Sequence, residues 1–148
     1  MAGQPEFRLE QVLKFRKEVE KMHQLELAQA RQQHDNARER LNKEKCALKA
    51  LEEEFSQRQA QGIEAKDLQL YGDFSMRKTQ EIQAIRDSLP ILEKAVQERR
   101  EALLVAAKEK KALEVYKEKK LKDLRLEQLT RERAFLDEVA VQSRGGQQ

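Results

Sequence analysis

The side chains in this sequence best suited to chemistry are two histidines, one cysteine and a long series of carboxylates. Their spacing decides what they can do. His23 and His34 stand eleven positions apart, and neither has a cysteine or second histidine at the short intervals of a metal site. They read as structural or solvated groups. Glu52, Glu53 and Glu54 belong to a solvated face. No GxGxxG, Walker loop, nucleophile elbow or CxxC occurs. The chain is therefore not expected to be an enzyme, and no metal, cofactor or small-molecule substrate is expected. Cys46 falls on an outer face if Leu41 and Leu48 are buried, which excludes a disulfide scaffold and fits a reducing compartment.

Residues 108–125 are the most basic stretch, with Lys110, Lys111, Lys117, Lys119, Lys120 and Lys122. Glu109, Glu114, Glu118 and Asp123 interleave with them, so neighbours three and four positions away can meet much of that charge. An exposed helix with local ion pairs is one reading, and a docking surface for an acidic protein is another. Nucleic acid is the weakest reading, because stacking aromatics are missing.

Composition says what must position these groups. Of 148 residues, 39% are charged, tryptophan is absent, and two prolines and five glycines are the only strong breakers. Such a mixture marks long helices, not a broad globular core. The net charge of +3 is the small difference between 30 basic and 27 acidic side chains, so no strong polyanion-binding field follows. Charges at Glu6, Arg8 and Glu10 interrupt any signal-peptide core, and no stretch approaches the roughly 20 apolar residues of a bilayer span. A soluble cytoplasmic protein is expected.

Apolar residues then recur at alternating steps of three and four, the mark of a coiled-coil seam. One seam carries Leu27, Ala30, Ala37, Leu41, Leu48, Leu51 and Phe55. The other carries Ile82, Ile85, Leu89, Leu92, Val96, Leu103, Ala106 and Leu113, and extends back to Leu68 and Tyr71. The pattern predicts an all-α fold, a two-helix antiparallel coiled-coil hairpin in one domain. Helix one is expected at about 7–58, a turn around Gly62 at about 59–66, and helix two at about 67–142 with Asp67 as N-cap. Met1 to Glu6 should fray, and Gly145 and Gly146 should end the second helix. Val12, Phe15, Val19 and Met22 form an earlier stripe out of phase with Leu27, which predicts a register slip near residues 23–26. Gly72 weakens the start of helix two. Pro90 is expected to kink a continuous helix, and the alternative is a break with Ser88 or Leu89 capping a fresh one.

Folding the seams about residue 63 places Leu41 against Ile85, Ala37 against Leu89, Ala30 against Val96 and Phe55 against Tyr71. Polar seam positions then meet apolar ones: Glu44 faces Ile82, His34 faces Leu92, and Arg99 faces Leu27. At roughly 1.5 Å per residue, helix one spans about 75 Å and helix two about 110 Å. The last twenty or so residues of helix two should therefore project beyond helix one as a single-helix extension of a rod. That overhang carries Leu121, Leu124, Leu126, Leu129, Phe135, Leu136 and Val139, and an exposed apolar stripe on one helix marks a partner site.

Two blocks of this sequence resemble the flagellar export protein family FliJ. The first is Phe7-Arg8-Leu9-Glu10-x-Val12-Leu13-x-x-Arg16, followed by Leu25-Glu26-Leu27-Ala28-x-Ala30. The second is Lys108-Glu109-Lys110-Lys111-x-Leu113-Glu114-x-x-Lys117-Glu118-Lys119, followed by Asp137-Glu138. The likeness covers nearly the whole chain; Pro90 and the absence of outer-face aromatics late in helix one depart from it. It implies a coiled coil similar to the central stalk of rotary ATP synthases, serving flagellum biogenesis and chemotaxis. Such a stalk enters the hexameric export ATPase ring of the flagellar type III apparatus, links it to a membrane export-gate protein, and serves export chaperones. By the same likeness, Arg125, Leu129, Arg131, Arg133, Leu136 and Asp137 are candidates for ring contact, and Tyr71 and Phe74 for gate contact. ATP would be bound by the partner. A general coiled-coil adaptor or holdase, and the equivalent stalk of a virulence injectisome, are the alternatives.

Overall fold

A computed structural model describes residues 4–146, with side chains from residue 8 onward. It contains two helices packed against each other: α1, Gln4–Gln61, and α2, Ala65–Gly145. Their ends differ from the sequence expectation by a few residues, each for a local reason. Helix α1 starts at Gln4 because Pro5, in the first turn, gives up only an N–H that has no helical partner there. It ends at Gly62, whose φ of 91° is open to glycine and costly for other residues. The Gly62 amide donates to the Gln59 carbonyl at 3.4 Å.

Only residues 62–64 connect the helices, a tighter turn than the expected 59–66. Leu68 donates its N–H to the Glu64 carbonyl at 3.0 Å, so Glu64 accepts the first helical bond of α2. The expected N-cap, Asp67, lies inside the first turn instead, where its charge still meets the positive end of the helix dipole. At the other end, α2 runs past residue 142 to Gly145. Of the frayed start expected for Met1 to Glu6, residues 4–6 are helical instead, and Met1 to Gly3 lie outside the described residues.

Helix α2 is continuous through Pro90, which removes the alternative of a fresh helix capped at Ser88 or Leu89. Pro90 and Arg86 are both exposed, so the carbonyl four residues before the proline can turn to water. Ser88 donates its hydroxyl to the Ile85 carbonyl at 2.6 Å.

The Cα positions cluster into two units: residues 21–104, and α1 up to Glu20 with α2 from Val105. In the first, Leu27, Ala30, Leu41, Ile82 and Ile85 are buried, and Leu41, Ile82 and Ile85 form a cluster that Leu48 and Leu89 extend. Ala37, Leu51, Phe55, Leu92, Val96 and Leu103 are half-buried, whereas Leu68, placed in the seam by spacing, is 46% exposed. In the second unit, Leu13 and Ala106 are buried and Leu9 and Leu113 half-buried.

No register slip occurs along α1. Covered positions at Leu9, Leu13, Arg16, Glu20, His23, Leu27 and Ala30 follow unbroken steps of four and three, with Val19 and Glu26 half-buried beside them. The more apolar stripe is the one left out: Val12, Phe15 and Met22 are exposed. An α-helix that does not break carries its phase from one turn to the next, and the phase set by Leu27, Ala30 and Leu41 reaches back to Leu13, not Val12.

A seam this narrow makes single layers matter. Leu41→Ala removes a side chain that is 7% exposed and should cost about 2–3 kcal/mol. Gly72→Ala should add roughly 0.5–1 kcal/mol, because the new methyl group enters open space on a helix. Urea unfolding followed by far-ultraviolet circular dichroism reads both, and the opposite signs are the expected outcome.

Candidate interaction surfaces

Both histidines sit along the seam. His23 and His34 are half-buried among seam positions, with Nδ1 at 3.4 Å from a Glu26 carboxylate oxygen and 3.8 Å from an Asp35 oxygen, respectively. Among the described residues, no group of three His, Cys, Asp or Glu side chains could hold a metal. Cys46 is exposed and unpaired with another cysteine.

Ion pairs cross between the helices at intervals. In residues 21–104, Lys78 donates to Glu44 at 2.5 Å and Arg99 to Glu26 at 2.9 Å. In the other unit, Arg16 pairs with Glu109 at 2.5 Å, Lys110 with Glu20 at 2.7 Å, and Lys117 with Glu10. Each pair falls within about one helical turn of the partner that a fold about residue 63 gives. Four of the five carry the carboxylate on α1 and the cation on α2. The basic stretch of α2 is thus partly committed to the hairpin itself. Spacing along α2 pairs these lysines with near neighbours; Glu10 and Glu20, which the fold about residue 63 brings opposite, are partners that spacing along one helix does not reveal.

Near the turn, Phe55 and Tyr71 meet across the seam with ring centroids 5.2 Å apart and planes tilted by 58°. The Arg58 guanidinium lies over the Tyr71 ring at 5.9 Å. Burial of the Tyr71 hydroxyl pushes its pKa above the ordinary tyrosine value. Concavities of about 350 and 360 Å³ flank this layer, one lined by Leu51, Phe55, Leu68 and Gly72 and the other by Leu70, Phe74 and Arg77, with Tyr71 in both. Of the two aromatic candidates, Tyr71 is half-buried in the seam. Phe74 is 43% exposed, with the Lys78 ammonium 5.6 Å from its ring.

In the unit that holds the C-terminal part of α2, the two helices line a small cavity with Leu9, Glu10, Lys117, Lys120, Leu121 and Leu124. Every residue from 121 to 146 is exposed. All six ring-contact candidates lie in this bare stretch. By helical phase, Arg125, Leu129, Arg133 and Leu136 share one side, Asp137 borders it, and Arg131 points the opposite way. Phe135 and Leu136 also line a shallow concavity with Gln128, Arg131 and Glu132. The stretch is apolar on more than one side, since Leu126 and Val141 are exposed as well.

A paired coiled coil with a bare, partly apolar helix end defines a helical interaction protein, one whose recognition surfaces are helix faces. The family described as Flagellar FliJ protein matches residues 5–148, and the chain belongs to that family. No curated protein and no solved structure matches it. Membership gives the chain a flagellar, export-related role, as a structural component and not a catalyst. Among the described residues, no helix is long and apolar enough to cross a membrane.

The cross-helix pairs make stability pH-dependent in a definite direction. The hydrogen bond from Lys78 holds the Glu44 carboxyl below its ordinary value of 4.5, and Lys117 does the same to Glu10. A carboxyl with a depressed folded-state pKa supports the fold above its unfolded value, and that support is lost as pH falls through the folded one. The hydrogen bond to Glu44 raises Lys78 above 10.5, and the one to Glu20 raises Lys110 likewise, so their support is lost only on the alkaline side of that value. The melting temperature should hold steady around neutrality and decline once pH drops below about 4.5. Glu44→Gln should flatten part of that decline, as thermal melts across a pH series would reveal.

Proposed function

We propose that this chain is a stalk-like coiled coil of the flagellar type III export apparatus, whose bare C-terminal stretch docks into the hexameric export ATPase ring. The observation that carries the reading is the exposure of every residue from 121 to 146 on a helix bearing Leu129, Phe135, Leu136 and Val139. An isolated helix in water gains little from such residues, whereas a partner that covers them recovers roughly 25 cal/mol per Å² of apolar area. In this stretch, Lys122, Arg125, Arg131, Arg133 and Arg144 match Asp123, Glu127, Glu132, Asp137 and Glu138 in number. A balanced surface lets a stalk shift against a ring without strong electrostatic trapping. Arg125, Leu129, Arg133 and Leu136 form the principal contact side, and Arg131 and Asp137 meet other parts of the ring.

The turn-proximal surface is assigned to the membrane export gate, with Phe74 the primary contact and Tyr71 its support. Exposed Leu70 and Met76 enlarge the apolar surface available there. The chain serves export chaperones through the same helix faces, and ATP is bound by the ring. Association with the inner-membrane export apparatus is peripheral.

Adding the purified chain to its host's export ATPase should promote hexamers and raise ATP hydrolysis, and a deletion strain should swim poorly. Leu129→Glu with Leu136→Glu should weaken ring binding at least tenfold, about 1.4 kcal/mol, as expected for loss of central apolar anchors. Both side chains are exposed, so the melting curve should not move. Phe74→Ala should spare ATPase stimulation and impair motility. Unchanged hydrolysis and assembly with the folded wild-type chain would sink the ring assignment. In that event, protection of aggregating clients, lost on truncation after Lys122, would favour a holdase.

A further inference from the structure

We infer that two copies of this chain associate through the face that carries Val12, Phe15 and Val19 on α1 and Val105, Ala112 and Tyr116 on α2, giving a four-helix bundle. All six residues belong to the same unit. Val12, Phe15, Val105 and Tyr116 are 44–58% exposed, although each is a residue type that gains from cover.

Helical phase places the six together. At 100° per residue, Val12, Phe15 and Val19 lie about a quarter-turn round α1 from its covered positions Leu9, Leu13 and Glu20. Val105, Ala112 and Tyr116 lie about a quarter-turn, in the same sense, from Ala106, Leu113 and Lys117 on α2. Because the helices run in opposite directions, these two equal offsets bring both stripes to one face of the pair. The Arg16–Glu109 ion pair, at 2.5 Å, sits between the stripes on that face, while Glu10 and Lys117 pair on the opposite one.

The face is complementary to itself. A two-fold axis along the helices lays α1 of each copy over α2 of the other, antiparallel and at the level used within one chain. Phe15 then sits beside the small Ala112, Val12 lies between Ala112 and Tyr116, and Val19 lies near Val105. Each Arg16–Glu109 pair meets its own symmetry mate with arginine opposite glutamate, so the charges at the centre alternate instead of clashing. Glu18 and Lys108, level with each other on the outer edges, extend the match. Helices with a second apolar stripe beside the first are what four-helix bundles require. Six residues make a patch smaller than the roughly 800 Å² per partner of a standard interface, so the dimer should be weak, with a dissociation constant on the order of 10 µM.

Sedimentation equilibrium of the full chain over about 1–300 µM should show the mass rising from 17.4 kDa toward twice that value. Phe15→Glu and Tyr116→Glu should each keep normal helix content and hold the protein at monomer mass across that range. Arg16→Glu should weaken the dimer, and pairing it with Glu109→Arg should restore it. Phe135→Glu, on the bare C-terminal stretch, should leave self-association unchanged while impairing ring binding, which separates this contact from the proposed function. A monomer at every concentration would overturn the inference. So would a dimer dispersed by Phe135→Glu and not by Phe15→Glu, or a monomeric chain whose Phe15→Glu variant fails only in binding the ATPase.

Discussion

The seam between α1 and α2 is the constraint on which the rest depends. A two-helix pair can bury only a stripe, and here seven side chains among those described fall below one-tenth exposure: Leu13, Leu27, Ala30, Leu41, Ile82, Ile85 and Ala106. None is fully covered. Such a contact favours association through the hydrophobic effect, but it does little to distinguish one heptad alignment from the next, since a shift of seven residues again lays stripe on stripe. The alignment is therefore set by what is irregular. Phe55 on Tyr71 and the cluster of Leu41, Ile82 and Ile85 supply size and shape. The crossing ion pairs supply sign.

That division of labour explains an asymmetry in the ion pairs. Ion pairs open to solvent contribute little to stability, typically 0–1 kcal/mol each, and with only Lys78–Glu44 and Lys110–Glu20 half-buried on both sides, the five cannot hold the helices together by themselves. They discriminate well, because a wrong alignment replaces attraction with repulsion and leaves half-buried charges unmatched. With the carboxylate on α1 at Glu10, Glu20, Glu26 and Glu44, and the cation on α2 at Lys117, Lys110, Arg99 and Lys78, α1 finds its complement in α2 and not in another α1. The charge pattern favours a hairpin that closes on itself over a dimer of unfolded helices that exchange partners. Lys78 shows the arrangement most fully: it joins Glu44, reaches toward Glu81 at 3.5 Å and covers the Phe74 ring.

The hairpin, its turn at Gly62 and the alignment about residue 63 were legible in the sequence because they rest on strong periodic signals: leucine and isoleucine at steps of three and four, interrupted once. The bare C-terminal stretch followed from counting residues on either side of that turn. The first third of α1 was misread for an instructive reason. Judged locally, Val12, Phe15, Val19 and Met22 make a better stripe than Leu9, Leu13, Arg16 and Glu20, and only the phase inherited from Leu27 decides between them. Hydropathy ranks stripes, but helix continuity selects one. The pairs of Glu10 and Glu20 with lysines ninety or more residues away were missed for a related reason. Charge matching along one helix is visible in a sequence window, whereas matching across a hairpin requires the alignment first. Asp67 was a reasonable N-cap by residue type, yet the turn closed sooner than the fading of the apolar pattern suggested, which gave the first helical acceptor to Glu64.

The misread stripe also bears on how this protein distributes its apolar surface. Were the aim only a stable hairpin, Phe15 would serve better facing α2 than facing water, and Arg16 and Glu20 would serve better outside. The chain does the reverse: it closes part of its seam with ion pairs and holds its larger side chains outward. The same is true of Phe74 and Met76 near the turn and of Phe135 and Leu136 on the bare stretch, all more than 40% exposed. Solvent exposure of these residues contributes nothing to the fold of an isolated chain and adds a tendency to aggregate. A protein built this way keeps its own helices together with a modest seam, aligned by charge, and reserves its stickiest side chains for surfaces that come from outside it.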